Sequence, residues 1–552
     1  MSHIDPDPAL PASAPPTITP AHLRDLLQRP GELALLDVRE VTAFARRHLL
    51  YAVPVPAWQI ESSIHRKVPR KSTRIVLTDA DGSRVNDAQA LLVRLGYDNV
   101  QVLEGGVDAW EAAGLEVFSG VNVPGKAFGE IVEIQAGTPH ISAQALHDRL
   151  QRGEKVVVVD GRTPEEFFRF SIPGAYNLPN AELPYRIREL APDPTTPIVV
   201  NCAGRTRSII GAQTLIDAGV PNPIVSLKDG TMAWLLDGHD VAVGRRTLLP
   251  QPTPEHLETA RAQARALQAR ARVESLSPAA LQALLEDTQR TTYLFDIRDL
   301  DEYRAGHLPG WRWAAGGQLI QATDDYVGTQ GATIVLADWD GVRAATVAAW
   351  LVQLGRHTVF THAPDPSVIA LETGDEVLQV LRDPASPESA WISAAELAQR
   401  LELNSVIVLD ADSPSAYARR HVRDAWFVVP ETLAQRLPGV NPDGKPVVIT
   451  SHDGILADSI VRRLKREGIA ARALLGGNRN WFEAGYPTAS GSDRDLSGEH
   501  HAWRHAYDFT DTRERDAAFH AYLQWEVALA EQIRRPGAEA TFSVIAATQP
   551  QP

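Results

Sequence analysis

Cysteine occurs once in this sequence, as Cys202, and its neighbours make it the first place to look for chemistry. The run Ile198-Val199-Val200 leads straight into Asn201-Cys202-Ala203-Gly204-Arg205-Thr206-Arg207-Ser208, and a helix is predicted from about Ser208. A cysteine at the end of a parallel strand, in a tight loop before a helix N-terminus, has backbone N–H groups converging on its sulfur, a nest that favours negative charge. Arg205 and Arg207 add formal positive charge nearby. Both effects favour the thiolate, the nucleophilic form. Gly204 lets the loop turn sharply, and the carboxyl end of parallel strands is where open α/β sheets place ligands. A buried, inert thiol is the commoner fate of a free cysteine, but it leaves the two arginines and the strand–loop–helix setting unexplained.

Other groupings promise less. Ser451-His452-Asp453 contains the letters of a catalytic triad, but adjacent residues in one loop rarely reach each other in triad geometry. His501 and His505 stand four apart beside His500 on an expected helix, without the Glu of the metalloprotease pattern, so a solvated or packing role is expected rather than a metal site. With one Cys there is no internal disulfide and no Cys-rich metal cluster, and no cofactor is expected.

The elements that must hold Cys202 recur four times along the chain. Each segment opens on a helix-start signal: ITPAHLRDLL (18–27), ISAQALHDRL (141–150), LSPAALQALL (276–285) and ISAAELAQRL (392–401), with Thr19, Ser142, Ser277 and Ser393 as N-caps. A short apolar run closing on Asp follows, ending at Asp37, Asp160, Asp296 and Asp410. A second run comes about 40 residues later and leads into an amphipathic helix, such as AQALLVRLGY (88–97) or GAQTLIDAGV (211–220). Segments one, two and four end on a Gly-turn and Trp110, Trp234 or Trp481, which read as core anchors. Segment three runs instead into THAPDPSV (361–368). Apolar runs buried on both faces and alternating with helices predict parallel α/β units, each large enough for its own core.

The expected organisation is a disordered tail over 1–16 and four units over 17–120, 139–250, 276–380 and 388–490. A helical, semi-rigid linker over 251–275 separates the middle two, and a helical tail covers 491–552. Within that tail AFHAYLQWEVALAEQI (518–533) is expected to dock on another surface of the chain or at a subunit contact. The net charge of −15 argues against nucleic acid or an anionic membrane as partner. No apolar run reaches the ~18 residues of a membrane span, and the first residues lack the pattern of a signal peptide. A cytoplasmic protein is expected.

The order helix, strand-Asp-x-Arg, second strand and Cys-loop-Arg resembles the rhodanese domain, the sulfurtransferase fold, and the resemblance runs through all four units. It is most specific in unit two, where Asp160-Gly161-Arg162, Glu166-Phe167 and Pro173-Gly174-Ala175 precede CAGRTRS (202–208). Unit three matches the upstream motif with Asp296-Ile297-Arg298, Glu302-Tyr303 and Gly306-His307-Leu308-Pro309-Gly310. Unit two departs from the family in reading Phe170-Ser171-Ile172 where Gly-His-Ile is usual.

The resemblance implies that Cys202 accepts a sulfane sulfur as a persulfide and passes it to an acceptor. The site it implies has Cys202 and Arg207 as catalytic residues. Ala203, Gly204, Arg205, Thr206 and Ser208 hold the substrate and persulfide, and Asp160, Arg162 and Glu166 support the loop. Asp160 is expected to pair with Arg162, with Glu166 as a second carboxylate partner. The implied donor is a small anion, thiosulfate or a persulfide, and the acceptor an external thiol or cyanide; a homodimer or a protein acceptor stays open. Aligned second strands put Asp79, Asp338 and Ser451 at the Cys202 position. A carboxylate cannot carry sulfane sulfur, so units one, three and four are expected to be inactive, with Asp79 and Asp338 pairing with Arg84 and Arg343. Two alternatives stand beside sulfur transfer: a non-catalytic scaffold, and a Cys-dependent phosphatase or arsenate reductase. The loop from Cys202 to Arg207 is six residues inclusive, one shorter than in the phosphatases that resemble this family, and that length favours sulfur transfer.

Overall fold

The computed structural model describes residues 15–247, 250–384, 390–498 and 505–545. All but the last two residues of the expected 1–16 tail, together with His500 and His501, lie outside them. Four parallel sheets of five strands dominate, and each follows the same order, 1-5-4-2-3, counting strands along its own unit. The predicted α/β class with four repeated parallel-sheet cores is therefore the observed one. The central runs form strands because they are buried almost throughout, completely so in Val157–Asp160 and Ile198–Asn201. Their β-branched side chains suit a sheet covered on both faces. The opening helices start where Thr19, Ser142, Ser277 and Ser393 accept a backbone N–H three residues on.

Register then aligns the chemistry. Asp37 pairs with Thr78, Asp160 with Asn201, Asp296 with Ala337 and Asp410 with Thr450. The next residue in each second strand is Asp79, Cys202, Asp338 or Ser451, so all four leave the sheet at the same height. The helix after the cysteine loop runs Thr206–Asp217, starting two residues earlier than the predicted Ser208. Likewise Val85–Arg94 begins before the predicted 88–97. In units one, two and four, a left-handed turn follows the fifth strand and brings a short helix against the loop. Thr231 N–H reaches the Cys202 carbonyl at 2.9 Å and Met232 N–H the Ala203 carbonyl at 3.0 Å; Val107 and Asn478 do the same to Asp79 and Ser451. The loop carbonyls are thereby turned outward, away from the sulfur. Trp110, Trp234 and Trp481 are buried as expected, each donating its indole N–H to a carbonyl six residues on.

The units keep cores of their own but are also joined by shared ones. One cluster runs from Phe128 and Val132, on the Val123–Ala136 helix between units one and two, through Ile209 and Ile210 to the sheet of unit three. The Pro254–Arg270 helix buries Ala260, Ala264 and Leu267 against its neighbours, so it is a packed element and not a free spacer. Units two and three face each other through Arg207 to Gln318 and Arg343 to Glu182, both 2.8 Å. Units one and four do so through Arg462 to Glu61 at 2.7 Å and the Arg84–Glu431 pair. The Thr512–Gln532 helix packs on the chain itself, with Phe519 and Leu529 fully buried. Among the described residues no helix is long and apolar enough to cross a membrane.

Gly106, at φ +57°, has no room for a side chain, since a Cβ would lie 2.7 Å from the Asp79 carbonyl oxygen. Gly106→Ala is expected to destabilise the protein by more than about 1 kcal/mol, read as a lower urea midpoint.

Candidate active site

Cys202 sits one residue beyond its strand, with only 2 % of its surface exposed. The loop is an anion cradle, and units one and three show what such a cradle does. There Asp79 accepts the backbone N–H groups of Gly82 and Arg84, and Asp338 those of Gly341 at 2.9 Å and Ala344 at 2.7 Å. The expected pairing with the guanidinium groups is not observed. The Arg84 side chain goes to Glu431, and Arg343 goes to Asp340, Glu182 and Glu302. Backbone amides satisfy a carboxylate without desolvating a second formal charge, and the arginines are drawn off by carboxylates beyond the loop. In unit two the residues at the same spacing are Arg205, Arg207 and Ser208, and the Ser208 groups act on the Cys202 thiol. In unit four Ser451 Oγ accepts from Ala457 N–H at 3.2 Å, not from His452, so the triad letters form no triad.

The side chains of the loop are disposed differently from expectation. Arg205 is buried and consumed by Glu130 at 2.7 Å, by Asp229 at 2.6 Å and by Glu133. It anchors the loop to the Val123–Ala136 helix and is not free to meet a substrate. Thr206 Oγ1 donates to Glu526 at 2.6 Å, so its proton is likewise committed. The Ser208 hydroxyl donates to the Arg205 carbonyl at 2.8 Å. Arg207 donates twice to Glu166, at 2.6 and 2.7 Å, and once to Gln318. Glu166 therefore serves Arg207 as well as capping its own helix with Thr163, and is no direct partner of the Asp160–Arg162 pair. That pair is present as predicted, with Arg162 Nη2 2.7 Å from Asp160 and 2.7 Å from the Phe170 carbonyl.

Electrostatics follow from burial. Burial pushes the Cys202 thiol above its ordinary value, and Arg207 and the Ser208 groups offset this only in part, while Glu526 adds to it. The expected thiolate-favouring field is thus outweighed by desolvation in the resting protein. Burial opposes ionisation of Glu166 too, but Arg207 and Arg162 outweigh it and hold its pKa at about 2.

Three residues that sequence reasoning missed complete the site from the C-terminal tail. Tyr507 donates its hydroxyl to the Ala203 carbonyl at 2.7 Å and packs at a tilt against Phe170 with ring centroids 4.7 Å apart. Tyr522 and Glu526 press on Gly204: a Cβ there would lie 3.2 Å from Tyr522 Cε1 and 3.4 Å from Glu526 Oε2. The departure at Phe170-Ser171 is thus where the tail docks; the other units keep buried His48, His307 and His421 stacked on Phe44, Tyr303 and Tyr417. Glu526, set between Trp525 and Val527, was the available signal. His505 lies in the same wall, its ring 5.6 Å from Tyr507. Beside the loop a cleft of about 300 Å³ is lined by Arg162, Glu166, Phe170 and Ala203, by Ser413 of unit four, and by Tyr507. Among the described residues no group of three or more His, Cys, Asp or Glu side chains could hold a metal ion.

Two pH effects are expected. Alkylation of Cys202 by iodoacetamide should rise with pH with a midpoint above the ordinary thiol range, higher still in Arg207→Ala and lower in Glu166→Gln, which frees Arg207 from its counter-charge. Ionised Glu166 stabilises the fold fully above its ordinary value of 4.5, and that contribution is lost as pH falls toward about 2. Acid unfolding of Glu166→Gln should therefore show a shallower loss over this window.

Comparisons with known proteins agree with this geometry. The Rhodanese-like domain family matches at residues 19–113, 142–237, 277–363 and 393–484. The crystal structure of a thiosulfate sulfurtransferase from Pseudomonas aeruginosa superposes with a TM-score of 0.88 at 39% identity, covering 96% of this chain and 100% of that one. A sulfurtransferase of Allochromatium vinosum is 33% identical over 98 residues, 18% of this chain and 89% of its own length. A putative thiosulfate sulfurtransferase, SseB, of Mycobacterium tuberculosis is 26% identical over 216 residues, 30% of this chain and 71% of its own.

Proposed function

Because the chain belongs to the rhodanese family and is a sulfurtransferase, we propose that Cys202 is its one sulfur carrier, loaded by thiosulfate or a persulfide and discharged to an external thiol or cyanide. The observation that carries this reading is the exchange at four equivalent strand ends, where Asp79, Asp338 and Ser451 stand in place of the thiol.

The cycle has two steps. Cys202 thiolate attacks the outer sulfur of thiosulfate, the donor S–S bond breaks, and sulfite departs with the bonding pair. The Arg205, Arg207 and Ser208 amides hold the resulting persulfide anion, as their counterparts hold carboxylates. An acceptor nucleophile then attacks the outer sulfur and Cys202 leaves as thiolate, a ping-pong scheme. Arg207 faces the departing sulfite, its charge tempered by Glu166. No second thiol is present, so the persulfide is resolved from outside the chain. The cleft beside the loop suits a small donor and acceptor. A reducing, cytoplasmic setting and a part in sulfur metabolism fit a free thiol of this kind.

Incubation with thiosulfate should add about 32 Da to the intact protein, the mass of one sulfur. Cys202→Ser should add nothing, and a wild-type protein that stays unmodified by every sulfane donor would refute the reading. Arg207→Ala should slow thiosulfate turnover by about tenfold or more, the scale of a hydrogen bond to a charged group. Turnover of a neutral persulfide donor should fall less, and equal losses would contradict the role given to Arg207.

A further inference from the structure

We infer that the Tyr522 hydroxyl, from the C-terminal helix, is a catalytic hydrogen-bond donor to the sulfur carried at Cys202. The inference rests on the sulfurtransferase reading above and adds to it a residue outside the four repeats.

The argument is one of commitment. Most of the polar hydrogens that the loop's own side chains offer are already spent: Arg205 on Glu130, Glu133 and Asp229, Thr206 on Glu526, the Arg207 Nη groups on Glu166 and Gln318, and Ser208 on the Arg205 carbonyl, while the buried Arg207 Nε has no partner. Tyr507 gives its hydroxyl to the Ala203 carbonyl. The Tyr522 hydroxyl has no hydrogen-bond partner among the described residues. The atom nearest Gly204 is Cε1, the carbon next to the one that bears the hydroxyl, so the polar end of the phenol is the end at the loop.

The rest of the ring is held firmly. Tyr522 packs against the group formed by Met232, Ala506 and Phe519, its ring lies 5.4 Å from that of Trp525, and Lys126 Nζ stands 5.3 Å from its centroid. Burial raises the phenol's pKa well above its ordinary value, with Glu526 and Cys202 acting in the same direction, so it stays a donor at neutral pH.

The chemistry needs no further reactant. When Cys202 thiolate attacks the sulfane sulfur and sulfite leaves with the bonding pair, the negative charge comes to rest on the outer sulfur of the persulfide. Tyr522 O–H points a dipole at that charge and transfers no proton. A donor aimed at charge that develops during the reaction acts most strongly in a site closed to water, and here the tail both supplies the donor and closes the site.

Tyr522→Phe removes the hydroxyl and keeps the ring. Single-turnover loading with thiosulfate, followed by intact mass, is expected to slow by about tenfold, with the urea midpoint unchanged. The pH midpoint of Cys202 alkylation is expected to rise, because the thiolate loses a donor; this readout on the folded protein stands even where stability falls. Loading within about twofold of wild type, or an unmoved alkylation midpoint, overturns the inference. The two readings fail separately. A wild-type protein that never gains sulfur refutes the carrier role of Cys202, whereas equal loading of wild type and Tyr522→Phe removes Tyr522 alone.

Discussion

A ring of backbone N–H groups at the end of a parallel strand must hold something electron-rich, and that requirement organises this protein. In units one, two and four the turn after the fifth strand bonds to a loop carbonyl, through Val107, Thr231 and Asn478, and unit three forms its cradle without that turn. Burying such amides without a partner costs about 1–3 kcal/mol for each group left unsatisfied. Units one and three meet the requirement with Asp79 and Asp338, unit four with the hydroxyl of Ser451, and unit two with a thiol. A carboxylate in the cradle is a permanent occupant. On the function proposed above, the sulfur of Cys202 is loaded and unloaded.

The thiol therefore sits in a place made for an anion yet buried enough to resist becoming one. Desolvation raises the Cys202 pKa, and the guanidinium that would lower it, Arg207, is shared with Glu166. This balance favours the protonated thiol in the resting protein. The three units without a cysteine contribute to the setting. Unit three supplies Gln318 to Arg207, unit four lines the cleft with Ser413, and the helix leading out of unit one supplies Glu130 and Glu133 to Arg205. The tail adds Tyr507, Tyr522 and Glu526. One active site thus draws on the whole length of the polypeptide.

Much of this was legible in the residues. The four N-cap signals, the Asp-terminated apolar runs and the Trp anchors obey periodicities set by local geometry, and they mark the parallel α/β units without reference to anything distant. The cysteine loop was legible for the same reason, because a strand end and a helix start lie within a few residues of each other. The partners of Arg205 and Thr206 were not. Glu130 is 75 positions from Arg205 and Glu526 is 320 from Thr206, and nothing local tells an arginine which carboxylate will reach it first. The Phe170-Ser171 departure looked like a minor lapse from the family pattern and is the docking point of the tail.

The sequence by itself determined that there is one thiol in the whole chain, at the end of a parallel strand, with Asp79, Asp338 and Ser451 at the three equivalent positions. These are matters of residue identity and short-range spacing. Only the tertiary structure decided which charges the thiol feels, which loop side chains remain free, and that the last helix closes over the sulfur. Charge pairing and burial act through space, and residues hundreds of positions apart become neighbours only when the sheets and helices pack.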